Sequence, residues 1–178
     1  TNALLGRLYL RNGDYHNAFS HSVKALSEAR TLGDSTSVRE AYLALEQITY
    51  FYHNDDSLAM EYNRLVASSW DSREQAHQAV RALNNRFNYT LSPDDVRDII
   101  SRSEDICHKY DFDDLLINIY LNATFQELSF EDAEASARYL AKAKPLIGNF
   151  KALQRCATSQ TSVSSLRLKR VLTVSSTS

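Results

Sequence analysis

The sequence predicts an all-α fold built from about four stacked helical hairpins. Three observations carry this. Among 178 residues only 4 are Gly and 2 are Pro, so long stretches run without a helix breaker. Apolar residues recur at three- and four-residue spacing between short polar turns. Finally, Ala18, Ala59, Val96 and Ala133 all fall early in the second helix of a pair, 41, 37 and 37 residues apart. An even period of this length means that one unit returns, each hairpin covering a face of its neighbour.

The first helix is expected over residues 2–11, where Leu4, Leu5, Leu8 and Tyr9 make one apolar face. Asn12-Gly13-Asp14 turns the chain. The second helix, 15–32, should turn Ala18, Phe19, Ser22, Val23, Ala25, Leu26 and Ala29 inward, with Gly33 as its C-cap. Thr36 or Ser37 then caps a third helix over 38–52, carrying Leu43, Leu45, Ile48, Tyr50, Phe51 and Tyr52. After His53-Asn54-Asp55-Asp56 comes a fourth helix, 57–68, with Leu58, Ala59, Tyr62, Leu65 and Val66. The fifth covers 73–89. Ser92-Pro93-Asp94-Asp95 starts the sixth, 93–109: Ser92 caps, Pro93 takes the first position, and the acids meet the positive dipole end. The seventh covers 113–128, and the eighth follows Ser129-Phe130-Glu131-Asp132 and stops near Pro145.

Gly6, Tyr9, Gly13-Asp14-Tyr15 and Ala18 set a small residue and an aromatic on one helix, then a tight turn, then a small residue on the next. This pattern resembles the tetratricopeptide repeat, and Pro145, 12 residues after Ala133, stands where that family often has its closing proline. The resemblance covers residues 1–147, as repeats over roughly 1–33, 37–69, 72–110 and 113–147. It departs from the family at Glu46, where a large apolar residue is preferred, and at Gln47 and Asn84. It implies a right-handed superhelical array whose concave groove binds a protein or peptide.

Aligned on the family pattern, the groove takes Arg7, Leu10 and Arg11 from the first repeat, and Ala44, Ile48, Phe51 and Tyr52 from the second. The third supplies Arg81, Asn85, Asn88 and Tyr89, the fourth Asn118, Asn122, Phe125 and Gln126. Asn85 and Asn122 hold equivalent places, and a side-chain amide can grip a peptide backbone without reading its sequence. Arginines suit carboxylates, and aromatics add contact area. Leu32-Gly33-Asp34 between hairpins resembles repeat regions of bacterial signalling and transcription regulators. The expectation is therefore the sensory or scaffolding part of a larger regulator, with an output domain elsewhere in the same chain. Self-association through hairpin edges or the tail is the alternative, and an enzyme on a helical scaffold a third.

The chemistry expected elsewhere is slight. His16 and His21 are five apart and do not share a helical ligand face, so no metal is expected. Asp55-Asp56, Asp94-Asp95 and Asp111 to Asp114 start helices, where capping and the dipole account for acids. No glycine-rich phosphate loop or nucleophile elbow occurs, and no cofactor is expected. All 22 acids lie at or before Glu134 and 8 of the 20 basic residues follow it, so the body carries −10 and the rest +8. An acidic body repels phosphate, which argues against direct nucleic-acid binding despite Arg167-Leu168-Lys169-Arg170. Residues 148–178 read as a partial helix near Asn149-Phe150 and a Ser/Thr-rich basic tail. Cys107 and Cys156 are too few for a disulfide framework. The chain starts inside the first hairpin without an initiator Met, as expected of a piece of a longer protein; its compartment is left open.

Overall fold

The computed structural model of the chain describes residues 2–89 and 91–149. These form eight α-helices, with no strand among the described residues: α1 (Asn2–Arg11), α2 (Tyr15–Leu32), α3 (Ser35–Ile48), α4 (Asp56–Ala67), α5 (Arg73–Asn85), α6 (Pro93–Tyr110), α7 (Asp113–Ser129) and α8 (Ala133–Asn149). A π-helical turn, Thr49–His53, extends α3, and a 3-10 turn, Arg86–Asn88, follows α5. The basic tail, Cys156 and the helix expected to begin near residue 149 lie largely outside the described residues. No described helix is long and apolar enough to cross a membrane.

Short polar side chains set the starts of the helices. Asp14, Asp34, Asp55, Ser72 and Ser92 each accept the backbone N–H three residues on, which satisfies one of the free donors of a first turn. Ser92 and Asp95 complete a reciprocal capping box ahead of Pro93. Asp34, and not Thr36 or Ser37, caps α3, because the left-handed Gly33 (φ 67°) ends α2 and brings Asp34 round at once. Asp111 takes a left-handed conformation (φ 55°) that closes α6, so Phe112 stands at the N-cap of α7 without a side-chain bond.

Second helices of the four pairs share one register. The first backbone bonds of these helices run from Ala18 to Asp14, Ala59 to Asp55, Val96 to Ser92, and Ser136 to Asp132. Ala18, Ala59 and Val96 are wholly buried at this position, and Ser136 is 5% exposed. Ala133, expected to be the fourth member, is instead the exposed first residue of α8. Asp132 caps α8: its side chain accepts from the Ala135 N–H at 2.8 Å. Helix α8 also runs through Pro145. A proline removes one backbone donor but leaves the remaining helical bonds to carry the chain past it.

Each helix packs on the next, and α1 touches α3, α3 touches α5, and α5 touches α7. The α3–α5 hydrogen bonds give the direction. Ser35 meets Gln75, Glu40 meets Arg81, Glu46 meets Asn85 and Tyr50 meets the Asn88 carbonyl, at separations of 40, 41, 39 and 38 residues. Both numbers rise together, so the two segments run the same way, offset by one repeat.

The main core lies around α5, α6 and α7, with Leu83, Val96, Ile99, Ile106, Leu116 and Ile119 almost fully enclosed. Helix α7 is buried nearly all round, as a helix flanked by α5, α6 and α8 must be. At the other end, α1 buries only Gly6, while Leu4, Leu5 and Leu8 are exposed. Phe19, Val23, Leu58 and Leu65, expected inward, are likewise at least one-third exposed. Small residues take their place: Ala18, Ser22, Ala25 and Ala29 face inward on α2. The closeness this permits is visible at Gly6, where a Cβ would sit 2.8 Å from Ser22 Oγ.

Candidate functional site

The surface expected to bind is the edge along α1, α3, α5 and α7. Its centre is a polar seam between α3 and α5. Glu46 is 1% exposed. Its Oε1 accepts from Asn63 Nδ2 of α4 at 3.0 Å and from the Tyr89 hydroxyl at 3.1 Å, and its Oε2 accepts from Asn85 Nδ2 at 2.7 Å. Asn63 donates also to the Ala82 carbonyl at 2.7 Å. Three donors from three segments thus converge on one carboxyl group. Burial raises the pKa of Glu46; hydrogen bonds from Asn85, Asn63 and Tyr89 and the charge of Arg81 pull the other way. The same surroundings raise the Tyr89 phenol, first through burial and then through the Glu46 charge.

Nearly two turns earlier, Glu40 accepts from Arg81 Nη1 at 2.9 Å and from Gln78 Nε2 at 3.1 Å, while Arg7 of α1 lies 3.8 Å from its other oxygen. Toward α7, Asn122 Nδ2 donates to Asn84 Oδ1 at 2.9 Å. Polar groups therefore bridge all four odd-numbered helices. At one end of the seam the π turn presents Tyr50, Phe51, Tyr52 and His53. Tyr52 stacks on Tyr15 with centroids 5.6 Å apart, and Tyr50 meets Tyr89 edge-on at 4.9 Å. From this turn Tyr52 reaches α2 and Tyr50 reaches the segment after α5.

Several of the expected groove residues stand open. Arg7, Arg11, Phe51, Tyr52, Asn88 and Asn118 are exposed, and Arg81, Asn85, Asn122 and Phe125 are partly so. Three are placed otherwise. Ile48 is fully buried, Ala44 is 7% exposed, and Tyr89 is 8% exposed with its hydroxyl on Glu46. Ile48 and Ala44 lie at helical spacing on the buried face of α3 with Ala41 and Leu45, and Tyr89 lies after α5 has ended. The amides of Asn85 and Asn122 are each bonded inside the fold, Asn85 to Glu46 and Asn122 to Asn84. Asn85 is thus a partner of a buried acid before it is anything else.

Sequence reasoning missed the residues that make this seam polar: Arg39, Asn63, Gln75 and Gln78, all at least nine-tenths buried. Glu46 was visible only as a departure from a family pattern. A signal existed: polar side chains sit at inward spacing within apolar runs, as in Ala44-Leu45-Glu46-Gln47-Ile48. Among the described residues no group of three or more His, Cys, Asp or Glu is arranged to hold a metal ion.

No family model matches the chain, no curated protein matches it, and no solved structure matches it.

Proposed function

We propose that the chain is a tetratricopeptide-like array of four hairpins that binds a protein or peptide along the edge of α1, α3, α5 and α7. The observation that carries this reading is the constant offset of α3 on α5, about one repeat at every rung. Translation by one repeat brings equivalent helices side by side, and their outer positions form a continuous surface. Along it Phe51 and Tyr52 are 55% and 51% exposed. Exposed aromatics beside Arg7, Arg11 and the amides of Asn88 and Asn118 combine contact area with hydrogen-bonding groups. In this reading the polar seam beneath holds the hairpins in register, and the ligand meets the residues outside it. The resemblance to repeat regions of bacterial regulators extends the proposal to a sensory or scaffolding segment of a larger signalling protein.

The test is selection from a random displayed peptide library on the folded chain, followed by titration of the enriched peptides. Phe51→Ala with Asn118→Ala should weaken them by about tenfold, the loss of one anchor and one polar contact. Enriched peptides that bind the double variant as tightly as the parent, or a failure to enrich any peptide, would refute the reading.

A further inference from the structure

Away from the α1–α3–α5–α7 edge, an open cavity of about 400 Å³ lies between the end of α2, the start of α3 and the link from α4 to α5. Its size is within the range of small-molecule sites. Arg39 of α3 lines it and is itself only 7% exposed. All three of its hydrogen bonds go to neutral acceptors: Nε to Gln78 Oε1 at 3.2 Å, and Nη2 to the carbonyls of Val66 and Gln75. Nη1 makes none, and solvent reaches it. The buried side-chain atoms without a partner among the described residues belong to Ser22, Thr49, Arg86 and Ser103. A guanidinium stays charged under all ordinary conditions. Among the described residues no carboxylate lies within ion-pair distance of Arg39, although the charge of Asp71 acts on it, so its open nitrogen is left to face the cavity and can take an anion.

The groups around the cavity complete the picture. The Tyr42 hydroxyl accepts from Arg30 Nη2 at 2.6 Å, and the Ser35 hydroxyl accepts from Gln75 Nε2 at 2.9 Å. Each of these oxygens is already an acceptor, so its own proton is free to donate. Arg30, Tyr42 and Ser35 line the cavity with Arg39. Val38 and Leu65 give it an apolar wall, and Asp71 also lines it, its charge acting on Arg39. Two arginines against one aspartate leave a net charge of +1. This balance suits a monoanion with a short hydrocarbon body, and Asp71 opposes a dianion such as phosphate.

We infer that this cavity binds a small carboxylate, whose oxygens accept from Arg39 Nη1 and the Tyr42 hydroxyl while its apolar part lies along Val38 and Leu65. The site stands apart from the proposed peptide-binding edge and does not depend on it.

Trp70, the chain's one tryptophan, stands in sequence between Ser69 and Asp71, which line the cavity, and serves as the probe. Its fluorescence is followed during titration with sodium pentanoate, with inorganic phosphate, and with sodium chloride at matched ionic strength. The expected result is a saturable response to pentanoate that chloride does not reproduce. Tyr42→Phe should weaken it about fivefold, the worth of one hydrogen bond of roughly 1 kcal/mol, and Arg39→Gln should remove it. Should Arg39→Gln fail to fold, Tyr42→Phe and Arg30→Gln decide, and unchanged affinity in both overturns the inference. A response to pentanoate that chloride matches, or phosphate binding tighter than pentanoate, overturns it as well.

Discussion

Replacing Asn85 by Ala tests what the polar seam does. Asn85 Nδ2 donates to Glu46 Oε2 at 2.7 Å, the shortest of the three bonds to that buried carboxyl group. A hydrogen bond to a charged acceptor contributes about 1.5–3 kcal/mol, against about 0.5–1.5 kcal/mol for a neutral pair. Asn85→Ala should therefore cost about 2 kcal/mol in the parent, a fall in Tm of roughly 4–8 °C for a chain of this size. In a Glu46→Gln background the charge is gone, and the same substitution should cost about 1 kcal/mol less. Denaturant unfolding of the four proteins at a pH above the folded-state pKa of Glu46, where the carboxylate is ionised, gives the coupling.

A pH series supplies the sign. Burial places the folded-state pKa of Glu46 above its usual 4.5, so the folded chain holds this proton more tightly than the unfolded chain. The contribution of Glu46 to stability is full below 4.5 and is lost as pH rises through the folded value. Each pKa unit of that displacement corresponds to about 1.4 kcal/mol. Glu46→Gln should accordingly gain on the parent as pH rises, and the difference should be level in acid. Asn63 from α4, and Arg81, Asn85 and Tyr89 from α5 and the segment after it, are the groups facing Glu46. They are common to both proteins and drop out of the comparison to first order. Equal costs of Asn85→Ala in the two backgrounds, with no pH-dependent difference, would refute the account of the seam as a buried acid held by three donors.

Two further outcomes follow from the packing. Gly6→Ala gains helix propensity but sets a Cβ 2.8 Å from Ser22 Oγ and 3.3 Å from the Ser22 nitrogen; a net loss of about 1 kcal/mol is expected. Ser22→Ala should recover most of it, and thermal melts of the single and double variants check this. Cys107 is 1% exposed, and burial followed by the charges of Asp114 and Asp113 pushes its thiol up to about 12. In a Cys156→Ser background the native chain should therefore resist a thiol reagent at pH 8 and react promptly in denaturant; prompt native labelling would contradict the packing of α6 on α7.

Much of the fold was legible because its signals are local. A cap needs one short side chain and three following residues, so Ser92-Pro93-Asp94-Asp95 announces α6 without help from the rest of the chain. The return of a small residue at Ala18, Ala59 and Val96 is legible for a related reason: close helix approach tolerates little else at that point. The fourth hairpin was misread by three residues: the period points to Ala133, but the buried place held by Ala18, Ala59 and Val96 falls to Ser136.

The candidate surface was less legible. The residues that bridge the hairpins are about 40 positions apart, and nothing local distinguishes an asparagine that faces solvent from one that holds a buried acid. The sequence by itself determined that the chain forms helical pairs, where most of them begin, and that like positions recur along it. The tertiary structure alone decided which polar side chains those pairs share. It enclosed Glu46 and Arg39, left Leu4, Leu5 and Leu8 on the surface, and turned Ile48 inward while its neighbours Phe51 and Tyr52 face out. The physical reason is that capping and periodicity act within one or two helical turns. The burial of a polar group, by contrast, is settled by whichever distant segment arrives to bond it.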